Sequence, residues 1–332
     1  MSTITGLELI NRVLLYRRQP TIAAYSATDP EHVVTLNALN MAKEDILSTR
    51  RWEFDLRHDG QLMTKATASS RSLSPTFTGS AEATTASLSI PTTTADDEVV
   101  GEWVLRIVPT GDTDYGDTAF RATYGVGSGD TATVGLSFPL PKAFSATACD
   151  LVYAEYLLPD TVREVVRASF DQNELSLEQL DPTVEFDECI PSPHLESGRP
   201  RIFNVGGYDR ETYTSGTPTV PKLRAIIWPV PDDEYLLSYS YYYAHADLTS
   251  GTSTWDGIPS AVVNDIIWQA VSLTKMALDG DYAAAHFSDM AQNGAAAKHM
   301  AYSGSSARRH TVKSWDTGRI GRQEGFPGKV IG

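Results

Sequence analysis

Polar and apolar positions alternate most clearly over residues 235–245 (YLLSYSYYYAH), where Tyr235, Leu237, Tyr239, Tyr241 and Tyr243 share one face at a spacing of two. The preceding KLRAIIW, 222–228, reads as its neighbouring strand across the turn 229–233. Helical spacing governs other parts of the chain. Leu7, Ile10, Val13 and Leu14 line one face of a first helix over 5–18, which Pro20 ends. Asp29-Pro30 is a capping residue followed by proline at a first helical position, and Val33, Leu36, Leu39, Ile46 and Leu47 continue a second helix. Pro259 opens a third helix to about Leu278, with Val262, Val263, Ile266, Ile267, Ala270, Leu273 and Ala277 inside it. Asp279-Gly280 breaks it, and a fourth helix over 281–301 presents Ala283, Phe287, Met290, Gly294, Ala297 and Ala301 on one side.

Between the helical parts the pattern changes. Residues 66–148 hold fifteen threonines, with short alternating pieces at 87–90, 103–108, 119–124 and 131–138. Turn-forming clusters at 92–97, 111–116 and 125–130 separate them. This is the pattern of a small β-sandwich or barrel. Residues 52–57 alternate strictly and predict a strand that turns at His58-Asp59-Gly60 into a hairpin. Residues 151–158 bring the chain back as a strand or short helix, Pro159-Asp160 opens a short helix over 161–168, and Asp181-Pro182 opens another to about Cys189. Residues 201–205 read as a strand. The fold class expected is α+β: a four-helix-bundle-like core with an antiparallel β-sheet, an inserted Thr-rich all-β domain and an extended C-terminal arm. The corresponding domains are 1–65 with 150–302 as the body, 66–149 as the insertion and 303–332 as the arm.

Composition narrows the function. At 332 residues and 41% apolar the chain can bury a sizeable core. No apolar run approaches the roughly 20 residues that span a bilayer. The net charge of −15 is uneven: 303–332 carries six basic and two acidic residues, +4, leaving −19 for the rest. An acidic body does not wrap nucleic acid but suits a passage through which DNA slides without sticking. The basic tail wants an acidic or grooved partner.

Sites of chemistry are sparse. Gly125–Asp130 lacks the helix and Gly-Lys-Ser/Thr that a phosphate loop needs, and reads as a β-turn. Asp112, Asp114 and Asp117 stand at intervals like a calcium loop but without its twelfth-position glutamate. The seven histidines (His32, His58, His194, His245, His286, His299, His310) form no metal motif. Cys189 follows Glu185, Asp187 and Glu188, which disfavour a thiolate, and Asp232-Asp233 beside Pro231 reads as a hairpin loop. No enzyme, cofactor or metal is therefore expected. Tyr239, Tyr241, Ile266, Phe287, Met290 and Gly294 are the candidates for subunit packing, because tyrosines and small residues suit surfaces pressed against a copy.

Several local patterns, taken in order, resemble the head-to-tail adaptors of tailed bacteriophages, the tail tubular protein A-like connectors. A second helix runs into Arg50-Arg51-Trp52-Glu53-Phe54. Leu157-Leu158-Pro159-Asp160 is followed by a short helix. Ile226-Ile227-Trp228-Pro229-Val230-Pro231 leads into a Tyr-rich strand, and Ile258-Pro259 opens the helix ending in Leu278-Asp279-Gly280-Asp281. The resemblance covers 1–65 and 150–302. It implies a homo-oligomeric ring, usually of twelve copies, at the neck of the virion and assembled in the host cytoplasm. Its partners are the portal above and tail nozzle or tube proteins below, with double-stranded DNA passing through unbound and no membrane. It also implies a portal-docking C-terminal arm, carried here by Arg308, Arg309, Trp315, Arg319, Arg322 and Phe326. The alternatives are a tail completion or tube protein, and a binding module whose β domain grips a glycan or host surface.

Overall fold

The computed structural model describes residues 4–48, 50–91, 95–99, 101–110, 112–116, 118–170, 176–178, 196–209, 222–255, 257–281 and 286–299. Contacts divide the chain into two compact units, one of Met1–Leu56 with His245–Gly332 and one of Arg57–Ala244. The expected α+β chain with a four-helix-bundle-like core is overturned. Among the described residues strand takes 38% against 29% helix, and the β part closes on itself as a six-stranded barrel.

In the first unit, β1 (Ile4–Thr5) pairs antiparallel with β15 (Thr254–Trp255). Thr5 then caps α1 (Gly6–Tyr16) by accepting the Glu8 amide, and Asp29 accepts the Glu31 amide at the start of α2 (Pro30–Ser48). The third helix, α4 (Ser260–Thr274), starts after Pro259 and loosens into a π-helical turn, Lys275–Asp279. Gly280 ends that turn at φ 63°, a left-handed backbone that suits glycine. A helix over 286–299, α5, follows. Leu9, Ile10, Val13, Leu39, Ile46, Trp52, Val262, Ile266 and Ile267 meet in one core. Trp52 is fully buried and its indole N–H donates to the Ile46 carbonyl at 3.2 Å. Of the strand that alternation predicts over 52–57, only Leu56 and Arg57 are strand. A 3-10 turn, Glu53–Asp55, takes the place, so that Trp52 can enter this core.

The second unit carries β2 (Leu56–Met63, its first residue in the other unit), β3 (Thr76–Gly79), β4 (Thr85–Ser89), a short α3 (Ala95–Val99), β5 (Trp103–Pro109), β6 (Phe120–Ser128), β7 (Thr131–Leu136) and β8 (Phe144–Leu157). It continues with β9 (Val162–Phe170), β10 (Ser197–Gly198), β11 (Ile202–Asp209), β12 (Lys222–Trp228), β13 (Val230–Pro231) and β14 (Leu236–Tyr243). The sheet order β11-β12-β8-β3-β4-β7-β6-β5 closes because β5 also pairs with β8. β8 makes this possible by its length. Its start pairs with β3, its middle with β5 and its end with β12. Its last seven residues are buried on both faces. One face points into the barrel, and Val152 and Ala154 on the other pack on Val108 and Val230. The expected boundary at 149–150 therefore lies inside a continuous strand.

A second sheet orders β2-β14-β9. Here two expectations fail. The helix over 161–168 is instead β9, drawn into pairing by β14. The turn at His58-Asp59-Gly60 is instead the middle of β2. Gly60 lies against the buried Tyr239 ring, where a Cβ would come within 2.4 Å of it, so its missing side chain serves close packing and not a turn. The helix expected after Asp181 lies outside the described residues.

Candidate functional site

The structure divides the six residues expected at a subunit interface. Ile266 is fully buried in the helical core. Tyr239 is buried in the β unit, stacked on Phe203 with ring centroids 6.2 Å apart. Both therefore pack within the chain. Tyr241 is half-buried beside Tyr239 at 5.5 Å, past a bulge that leaves Val166 of β9 without a partner in β14. Gly294 is explained within the helical unit: Asp265 Oδ1 lies 2.8 Å from where its Cβ would stand. Asp265 there accepts both of its bonds from the Lys298 ammonium at 2.7 Å. Met290 is half-exposed on α5. Phe287 belongs to a larger feature.

That feature is an aromatic strip crossing three helices. Tyr16 of α1 meets Trp268 of α4 at 4.3 Å between ring centroids, and Trp268 stacks on Phe287 of α5 at 5.5 Å and 3°. Lys275 lies 5.2 Å from the Phe287 centroid and continues the strip with a charge. Tyr16 is 45% exposed and Leu15 63%, with Trp268 and Phe287 half-buried and Leu278 also exposed. Aromatic rings ordered by one another yet open to water form a pre-arranged contact surface, since little rotamer entropy remains to be lost on docking. Sequence reading finds Phe287 but misses Tyr16 and Trp268. Tyr16 stands just outside the α1 apolar stripe, and Trp268 hides among the aliphatic residues of α4.

Buried charge elsewhere among the described residues is paired within the fold. At the end of the barrel, α3 places Glu98 at 1% exposure, where Arg71 grips it with two bonds of 2.8 and 2.6 Å and the Tyr153 hydroxyl donates at 2.6 Å. The Lys65 ammonium lies 3.5 Å away. Burial alone raises the Glu98 pKa, but the bonds from Arg71 and Tyr153 and the charge of Lys65 outweigh it and hold the carboxyl below its ordinary value. Tyr153 is pushed well above its ordinary range by burial and by the Glu98 charge. Burial likewise lowers the Lys65 pKa. Glu155 lies between Arg106 and Arg224 in the same unit. In the helical unit Lys43 donates to the His245 carbonyl at 2.6 Å and to Asp247 at 2.7 Å, while His245 and Asp55 pair at 2.8 Å. These groups hold the fold, and none faces an open cavity with a nucleophile.

The remaining sequence candidates resolve simply. Lys142 fills the would-be calcium loop, 2.7 Å from Asp112 and 3.2 Å from Asp114, and its hydrogen bond lowers the Asp112 pKa. β6 runs through Gly125–Ser128 and turns tightly into β7 at Gly129, φ 61°, so no phosphate loop forms. Asp232 accepts from the Tyr235 hydroxyl at 2.7 Å, and the Asp233 side chain accepts the Glu234 amide. Burial, aided by the Asp150 charge, pushes the Cys149 thiol to about 12, which makes it inert. Among the described residues no group of His, Cys, Asp and Glu is arranged to hold a metal, and no helix is long and apolar enough to cross a membrane. Arg308, Arg309, Trp315, Arg319, Arg322, Phe326, Cys189, His194 and His310 lie outside the described residues. No family model matches the sequence, and no curated protein is significantly similar to it.

Proposed function

We propose that this chain is a structural protein of a tailed-phage neck, one copy of a ring that joins the portal to tail proteins and surrounds the DNA path. The observation that carries the reading is the half-exposed strip Tyr16–Trp268–Phe287, flanked by Leu15 and Leu278, on the helical unit. A surface of this kind stays soluble and specific when a copy covers it. The order of the sequence patterns that resemble head-to-tail connectors supports the same reading. So does the acidic balance of residues 1–302, which keeps a DNA path non-adhesive.

Native mass spectrometry with negative-stain imaging tests this on the full chain, alone and mixed with the portal ring of the same genome. The expected result is a closed ring seated on the portal. Leu15→Lys, an exposed change, is expected to prevent the ring while leaving the folded monomer intact. A chain that stays monomeric in the presence of the portal overturns the proposal.

A further inference from the structure

Trp103 is contacted on several sides and yet is only half-buried. Its indole N–H donates to the Glu98 carbonyl at 3.3 Å, and the Lys65 ammonium sits 4.3 Å from its ring centroid. Tyr153 meets its ring edge-on at 5.9 Å and 86°. Gly101 presses against the indole with no room for a Cβ. The ring borders a cleft of about 400 Å³, entirely within the β unit. Tyr156, Leu158 and Tyr239 also line this cleft, and Met63, 55% exposed, stands in it. Glu102 and Asp160 add carboxylates. The one cation of the lining, Lys222, is bound to Glu102 at 2.7 Å, so Asp160 remains as the uncompensated charge of the cleft. By sequence the unit from Arg57 to Ala244 has thirteen basic and twenty-seven acidic residues, −14. An indole over an apolar cleft rimmed by carboxylates, in a unit of negative net charge, selects an aromatic side chain flanked by cations, held by packing and steered by charge.

The chain carries such a segment. Residues 303–332 have a net charge of +4 and place Trp315 between Lys313 and Arg319 and Phe326 between Arg322 and Lys329. Fully extended they reach about 100 Å, enough to cross to an adjoining molecule. We propose that the Trp103 cleft receives an aromatic residue of this tail from a second copy, so that each tail ties its chain to the next. The proposal rests on the ring reading for the nearness of a second copy. It gives the tail a different partner from the portal that the family resemblance implies.

A labelled peptide of residues 303–332 tests it, titrated by fluorescence anisotropy into the full chain carrying Trp315→Ala and Phe326→Ala, so that the resident tail does not compete. The expected result is saturable binding that weakens at least tenfold in receptors that also carry Met63→Lys or Asp160→Lys, and at least tenfold when the peptide lacks both aromatics. Binding that is absent, or unchanged by both receptor variants, overturns the inference. Peptide that binds the isolated portal ring and not this chain overturns it in favour of the portal as the tail's partner. A ring that forms while the peptide ignores the cleft leaves the ring reading standing alone. Peptide binding without any ring leaves the cleft standing and removes the ring.

Discussion

Replacing Glu98 by Gln tests how the β unit is held shut. The Glu98 side chain is 2% exposed and Arg71 is 26% exposed, so water compensates little for what is lost. Gln keeps one acceptor oxygen, enough for Tyr153 or for one Arg71 N–H, and loses the charge that the bidentate pair and Lys65 require. Removing one partner of a buried ion pair typically costs about 3–5 kcal/mol, and the retained acceptor places Gln near the lower end, at about 3 kcal/mol. For a unit of this size each kcal/mol shifts the midpoint by about 2–4 °C, so Glu98→Gln is expected to lower the Tm of the β unit by about 6–12 °C. Calorimetry measures this directly. The pH dependence gives a second reading of the same network. The folded pKa of Glu98 lies below its unfolded value. Its contribution is therefore fully present above the unfolded pKa, about 4.3, and is lost as pH falls through the folded pKa. The wild-type Tm should fall over that acidic window, and the Gln variant should fall less. A Glu98→Gln variant that loses under about 1 kcal/mol, with an acid profile like wild type, would refute the claim that this carboxylate anchors α3 to the barrel.

Other outcomes follow from named contacts. Gly60→Ala forces a Cβ into the Tyr239 ring and should cost about 1–3 kcal/mol by denaturant melts, a loss that Tyr239→Leu partly relieves in the double variant. Lys43→Met strands the His245 carbonyl and should increase proteolysis near residues 245–247, as read by mass spectrometry of the fragments. Adding calcium at millimolar concentration should leave the Tm unchanged, because Lys142 already occupies the Asp112–Asp114 loop; a shift of several degrees would contradict that placement.

Much of the helical unit was legible in the chain itself. Helical periodicity, the Asp29-Pro30 start, Pro259 and Gly280 are local signals, and local chemistry sets where a helix begins and ends. The alternating pieces at 87–90, 103–108 and 131–138 fall on the strands Thr85–Ser89, Trp103–Pro109 and Thr131–Leu136, since alternation is a property of neighbours in sequence. Of the candidate strip, Phe287 was legible because it stands on the apolar side of a periodic helix.

Only the tertiary structure decided the rest. Val162–Phe170 carries spacing that fits helix or strand, and pairing with β14 resolves it. The barrel exists because one long strand, β8, meets β3 and β5 from sequence distances that no local pattern encodes. Gly60 reads as a turn until the Tyr239 ring is seen above it. Glu98 looks like any surface acid in Asp96-Asp97-Glu98 until folding brings Arg71 and Tyr153 to it. The strip of Tyr16, Trp268 and Phe287 joins residues up to 271 positions apart. Periodicity fixes which face of an element is apolar, but which faces meet, and which aromatic rings are left open to a partner, depends on long-range packing that is settled only when the whole chain has closed.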